Sequence, residues 1–161
     1  MQTWLDVVIV RYYRDLYRYA LSLSRHESDA ADLTQQTAVK FAQNWESIRD
    51  DSGIKSWLYT TLYREFLLLR RRTKDTVEFD ETHAETSHAP NADAGILLDG
   101  RTAVEVLGRM DEPHRSVLSL FYVEDLSYRE IADILGVPPG TVMSRLSRAK
   151  EVLRQLLSPS P

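Results

Sequence analysis

The stretch that decides the fold runs from Ser127 to Leu157 and reads SYREIADILGVPPGTVMSRLSRAKEVLRQLL. It holds two helical patterns separated by a break too short to be a linker. Ser127 and Glu130 have the spacing of a capping box, in which each side chain satisfies a free amide at the helix start. Behind them Tyr128, Ile131, Ala132 and Leu135 recur at helical spacing and can bury one face. Gly136 predicts the stop, and Pro138-Pro139-Gly140 predicts a tight turn that forbids continuation. A second helix is expected from about Thr141. Val142, Leu146, Ala149, Val152, Leu153 and Leu156 cover one side of it, and the other side is short-polar and basic. Two helices at a steep angle with such an outer face are what a helix-turn-helix needs, its second helix lying in the major groove. From Thr141 to Leu157 there are four basic residues and one acidic one, +3 in a chain of net charge −4. A plain helical hairpin with a solvated face would show part of this pattern. The capped short helix, the Pro-Gly turn and the polar start of a basic helix together favour DNA.

The net acidity, unusual for a DNA binder, is unevenly placed. Residues 1–72 carry 11 basic and 9 acidic side chains, residues 73–100 carry 1 and 7, and residues 101–161 carry 8 and 8. The middle segment, at −6, holds the whole excess, and the flanks at +2 and zero can meet DNA. The 161 residues allow one domain or two small ones. Cysteine is absent, which excludes disulfides and thiolate metal sites and fits a reducing cytoplasm. No apolar run is long enough to span a membrane, and the N-terminus lacks the pattern of a signal peptide.

Upstream, apolar repeats predict a helix over residues 4–24, a second to about Asn44, and a third from about Ile54 to Arg72. The second presents carboxylates and amides outward. In the third, Ile54, Leu58, Leu62, Phe66 and Leu69 form the buried stripe. Trp57, Tyr59 and Tyr63 fall off it, and the helix ends in Arg70-Arg71-Arg72. Exposed rings beside a basic cluster are the ingredients of single-strand binding, although rings packed on neighbouring helices would give the same pattern. Residues 73–100 lose the apolar periodicity and predict a flexible acidic linker. His83 and His88 fall within it without metal-site spacing. Beyond it a helix over about residues 101–110 and another opened by Pro113 precede the helix-turn-helix. The expected fold is all-α: a helical unit over residues 1–72, the linker over 73–100, and a four-helix unit with the helix-turn-helix over 101–161. No catalytic constellation, phosphate-cradling loop or paired-histidine motif occurs, so no enzyme, cofactor or metal is expected.

The segment over residues 107–157, with the run FYVEDLSYREIADILGVPPGTV and then SRLSRAK, resembles the −35 reading domain of sigma-70 initiation factors, specifically the small extracytoplasmic-function (ECF) group. DAADLTQQTAVKFAQNW (29–45) is similar to the family's polymerase-docking helix, and SWLYTTLYREFLLLRRR (56–72) to its −10 element helix. The resemblance implies a cytoplasmic, non-membrane protein that binds core RNA polymerase, reads the −35 and −10 elements of promoters and opens the −10 region. It implies that Asp29, Asp32, Leu33, Gln35 and Gln36 dock on polymerase, and that Trp57, Tyr59, Tyr63, Arg64, Arg70 and Arg71 serve the −10 strand together with the loop ESIRDDSG. Thr141, Ser144, Arg145 and Arg148 would meet the −35 duplex, with Ser127 and Lys150 on phosphates. An anti-sigma factor, as many relatives have, would be a further partner. Gln36 stands where members often carry Glu, and Met143 where a basic residue is common. Tyr63, Arg64 and Leu68 replace the usual Arg-Asn pair and a later Asp, so promoter sequence is not carried over. A sigma-like decoy, or an autonomous DNA-binding regulator that opens no promoter, is the alternative.

Overall fold

The computed structural model describes residues 3–48, 50–77 and 105–158, and every regular element among them is helical. Helix α1 (Trp4–Ser24) starts with a capping box between Thr3 and Asp6 and stops at Arg25, which takes a left-handed conformation at φ 63°. Helix α2 (Glu27–Asn44) has Glu27 and Asp29 in its first turn, where the helix dipole favours negative charge. A 3₁₀ turn at Trp45–Ser47 follows. Asp50 then accepts from Ser52 Oγ at 2.6 Å and from the Gly53 amide at 2.9 Å, which starts α3 (Ser52–Val77).

Helix α3 outruns the expected end at Arg72 by five residues. Apolar periodicity reports where a helix is buried, and Thr-Lys-Asp-Thr-Val contains no residue that breaks a helix once burial ceases. Thr73 instead bonds back to the Leu69 carbonyl at 2.9 Å. The remainder of the expected linker, from residue 78, lies outside the described residues, as do His83 and His88.

A helical turn at 105–108 leads to α4 (Glu112–Leu118), which widens into a π turn at Ser119–Val123. The expected capping box of Ser127 and Glu130 is present, both bonds at 3.1 Å, and opens α5 (Tyr128–Leu135). Gly136 ends it at φ 68°, a conformation that costs a residue with a Cβ about 1–2 kcal/mol. Helix α6 (Pro139–Leu157) begins two residues before the expected Thr141. Pro139 sits in the first turn, where a missing amide proton costs nothing, so the Pro-Gly pair belongs to the helix and Pro138 caps it.

Helices α1, α2 and α3 pack together, and α4 and α5 pack on α6. The two groups also pack on each other, α3 against α5 and α1 against α4, and one buried apolar cluster runs through both. Tyr19, Leu62 and Phe66 from the first group share it with Val117, Leu120 and Ile131 from the second.

Candidate nucleic-acid interface

Helix α6 buries Val142, Leu146 and Ala149. That orientation turns Thr141, Ser144, Arg145 and Arg148, spaced i, i+3, i+4 and i+7, to a single outer stripe. Ser144 and Arg148 are exposed, and Thr141 and Arg145 are half-buried. Ser127 is exposed, but its hydroxyl is engaged in the α5 cap. Lys150 lies 5.8 Å from the Phe121 ring centre and 5.7 Å from that of Tyr122, so a cation–π contact holds its ammonium group.

The residues expected to serve the −10 strand divide between two faces of α3. Trp57, Arg64 and Arg71, seven apart, form one line. Arg64 and Arg71 are exposed, and Trp57 is half-buried with its ring 5.9 Å edge-on to Phe41. Tyr59, Tyr63 and Arg70 form another line, turned toward the C-terminal helices. Tyr59 is 0% exposed and Tyr63 8%. The expectation of exposed rings is corrected at these two positions. Tyr59 donates its hydroxyl to Glu124 Oε2 at 2.6 Å, and Tyr63 donates to Glu112 Oε1 at 3.0 Å. Arg70, exposed, reaches Glu112 Oε2 at 3.4 Å.

Glu124 is the centre of this contact. It emerges from the π turn, and its buried carboxylate also accepts from Arg18 Nε at 3.2 Å. Lys55 Nζ donates to the Glu124 carbonyl at 3.2 Å. Burial pushes the Glu124 carboxyl up against the opposing pull of Tyr59 and Arg18. Burial, reinforced by the neighbouring Glu112, pushes the Tyr63 phenol up to about 12. Burial and then the Glu124 charge raise Tyr59 as well. Nearby, Tyr19 and Ser116 share a hydrogen bond at 2.9 Å, and Ser22 donates to Ser119 at 3.1 Å.

Arg115 closes the other side. At 5% exposure it donates to the Ser22 carbonyl at 3.0 Å, the Leu23 carbonyl at 3.1 Å and the Met110 carbonyl. The first two are carbonyls that α1 leaves without intrahelical partners at its C-terminus. Sequence reasoning missed Glu112, Arg115, Ser116, Ser119 and Glu124, because a charge or hydroxyl at a helix end carries no periodic signal of a distant partner.

On α2, Asp32, Gln35 and Gln36 are exposed and Asp29 is half-buried, so four of the expected docking residues reach the surface. Leu33, at 4% exposure, is a core residue that anchors α2 from below. Among the described residues no group of His, Asp and Glu could hold a metal ion.

Two family models match this chain. The family model described as Sigma-70 region 2 matches residues 8–76, and that described as Sigma-70, region 4 matches residues 101–153. The RNA polymerase sigma factor SigV of Bacillus subtilis is 31% identical over 152 residues, covering 91% of this chain and 86% of that protein. The ECF RNA polymerase sigma factor SigE of Mycolicibacterium smegmatis is 32% identical over 167 residues, covering 98% of this chain and 63% of that one. The chain belongs to the ECF group of the sigma-70 family.

As an RNA polymerase sigma factor it directs promoter-specific transcription. Sigma factors are in general non-catalytic, DNA-recognising subunits. Among solved structures, the sigma factor RpoE in complex with the anti-sigma factor NepR from Bartonella quintana matches with a TM-score of 0.81 at 30% identity, over 94% of this chain and 95% of that one. CnrH in complex with the cytosolic domain of CnrY shares the fold, with a TM-score of 0.68 at 22% identity, over 95% of this chain and 86% of that one. No helix among the described residues of this sigma factor is long and apolar enough to cross a membrane.

Proposed function

We propose that this sigma factor acts in the cytoplasm by binding, with no chemistry of its own. The exposed ribbon of Asp32, Gln35 and Gln36, with Asp29 at its edge, would dock on core RNA polymerase. The stripe of Thr141, Ser144, Arg145 and Arg148 on α6 would enter the major groove of the −35 duplex, with Lys150 on a phosphate. Region 1–72 and region 101–161 would act as two DNA grips joined by the acidic segment 73–100. An anti-sigma factor of the kind seen with RpoE and CnrH is a proposed regulator.

The accessible line of Trp57, Arg64 and Arg71 can meet the −10 region while the two groups of helices stay packed. Tyr59 and Tyr63 cannot, because a ring buried against Glu124 or Glu112 is closed to a nucleobase. Their use on an unpaired strand requires the helices of residues 105–158 to move off α3. Engagement of the strand by these two rings is therefore coupled to separation of the two units. Stacking on an unpaired base, at about 1–3 kcal/mol per base, is of the size needed to offset a lost buried hydrogen bond.

The observation that carries the reading is the polar, basic outer stripe of α6, held by a capped and glycine-terminated α5. The test is in vitro transcription with core polymerase and genomic template, with start sites sequenced. Transcripts from a discrete promoter set are expected. Polymerase binding without any promoter opening would establish the decoy instead.

A further inference from the structure

A cleft of about 740 Å³ opens where α1 ends, the second half of α3 runs past, and the chain re-enters at residues 109–115. Its walls are cationic from three directions. Helix α3 contributes Arg70, Arg71 and Lys74, the α1 end contributes Arg25, and the C-terminal unit contributes Arg109 and Arg115. Three carboxylates, Asp29, Asp111 and Glu112, face these six cations.

Apart from the Arg70–Glu112 ion pair, the hydrogen bonds inside the cleft satisfy donors without neutralising charge. Arg115 bonds only to carbonyls, and the two at the end of α1 bring a partial negative charge of about half a unit. Arg25 likewise donates to the Gly108 carbonyl, at 2.8 Å. Glu112 divides one carboxylate between Arg70 and Tyr63. Arg71, Lys74 and Arg109 make no ion pair with a described residue. Burial first, then the neighbouring Arg25 and Arg70 against the opposing pull of Glu112 and Asp111, draws the Arg115 guanidinium down to about 10. An apolar floor of Leu23, Phe66 and Leu69 lies beneath.

We infer that this cleft binds a small, multiply charged phosphate anion, of the size of a nucleoside polyphosphate, and that the bound anion holds the two halves of the protein together. The volume falls in the range of small-ligand sites and is too small for a DNA duplex. Guanidinium groups match phosphate oxygens in pairs, so several fixed arginines select phosphate over a monovalent anion. Because one wall belongs to each half, the anion binds only the packed arrangement and stabilises it by mass action. The cleft shares Arg71 with the −10 line of α3, whereas Lys74 and Arg109 carry no role in promoter reading and so report on the anion site alone.

The test uses the full-length chain and inorganic tripolyphosphate, followed by titration calorimetry and thermal unfolding, with sulfate at matched ionic strength as control. Saturable one-to-one binding and a raised Tm are expected with tripolyphosphate and not with sulfate. Lys74→Gln combined with Arg109→Gln, both at exposed positions, should weaken binding at least tenfold and leave the ligand-free Tm unchanged. ATP binding more tightly than tripolyphosphate would add the apolar floor to the site. Three results would overturn the proposal. One is a response equal for sulfate and tripolyphosphate. Another is unaltered affinity in the double variant. The last is binding that appears only after deletion of residues 78–100, which would assign the cleft to the chain's own acidic segment.

Discussion

At the scale of single residues, side chains that look alike in sequence do different work. Tyr59 and Tyr63 differ from the exposed Tyr122 only in what covers them. Replacing Tyr59 by Phe leaves the buried Glu124 carboxylate without its 2.6 Å donor. The expected loss is about 1–3 kcal/mol of stability, read as a lower urea midpoint with an unchanged slope. Arg145→Ala and Arg148→Ala should each weaken −35 duplex binding by about 1–3 kcal/mol, measured by fluorescence anisotropy. Unchanged affinity in both would remove the α6 stripe from the DNA. Ser127 distinguishes two roles in one substitution. As a cap, Ser127→Ala should cost about 1 kcal/mol of stability and leave the salt dependence of DNA binding intact. As a phosphate contact it would instead weaken binding equally on every sequence.

At the scale of elements, local chemistry sets helix starts and stops, and burial does not. The capping boxes at Thr3 and Ser127 and the left-handed Gly136 bound α1 and α5 where their residues require. Helix α3 persists past its apolar stripe because nothing in its next five residues stops it. The π turn after α4 has no sequence signature of its own. It matters because it delivers the next residue, Glu124, whose carboxylate bonds to Tyr59, 65 positions away. Glu112, at the start of α4, likewise ties Tyr63 and Arg70 of α3. Glu112→Ala should therefore release this face of α3. Its expected effect is a rise in affinity for a single-stranded −10 oligonucleotide of about tenfold, equivalent to about 1.4 kcal/mol, measured on the free protein. No gain, or a loss, would show that packing on the C-terminal helices does not compete with strand capture.

At the scale of the whole molecule, the same buried phenols give the packed arrangement a pH limit. Tyr63 ionises near 10 when free and at about 12 when packed. The packed form thus holds the proton more tightly, and its stability is complete below about pH 10 and is lost as pH rises toward 12. Circular dichroism and tyrosine absorbance followed together should show ionisation and unfolding in one step. Tyr63→Phe, which lacks the ionising group, should show a smaller loss of stability between those two pH values than the parent chain.

The sequence alone determined the all-α class, the helix-turn-helix, the polar face of α2 and the outer stripe of α6. Each rests on short-range spacing, a cap three residues from its partner or a face repeated every three or four. The same spacing marks Leu33 as a core candidate of α2, and it is buried, but spacing within one helix cannot say which distant element covers a second face. Nor could it place Tyr59 and Tyr63, which lie off the apolar stripe of α3 yet are buried. Only the tertiary structure decided that, since α3 is covered on one face by α1 and α2 and on another by helices far along the chain. A ring that reads as exposed within its own helix becomes interior when a distant element packs over it and a carboxylate there accepts its hydrogen bond.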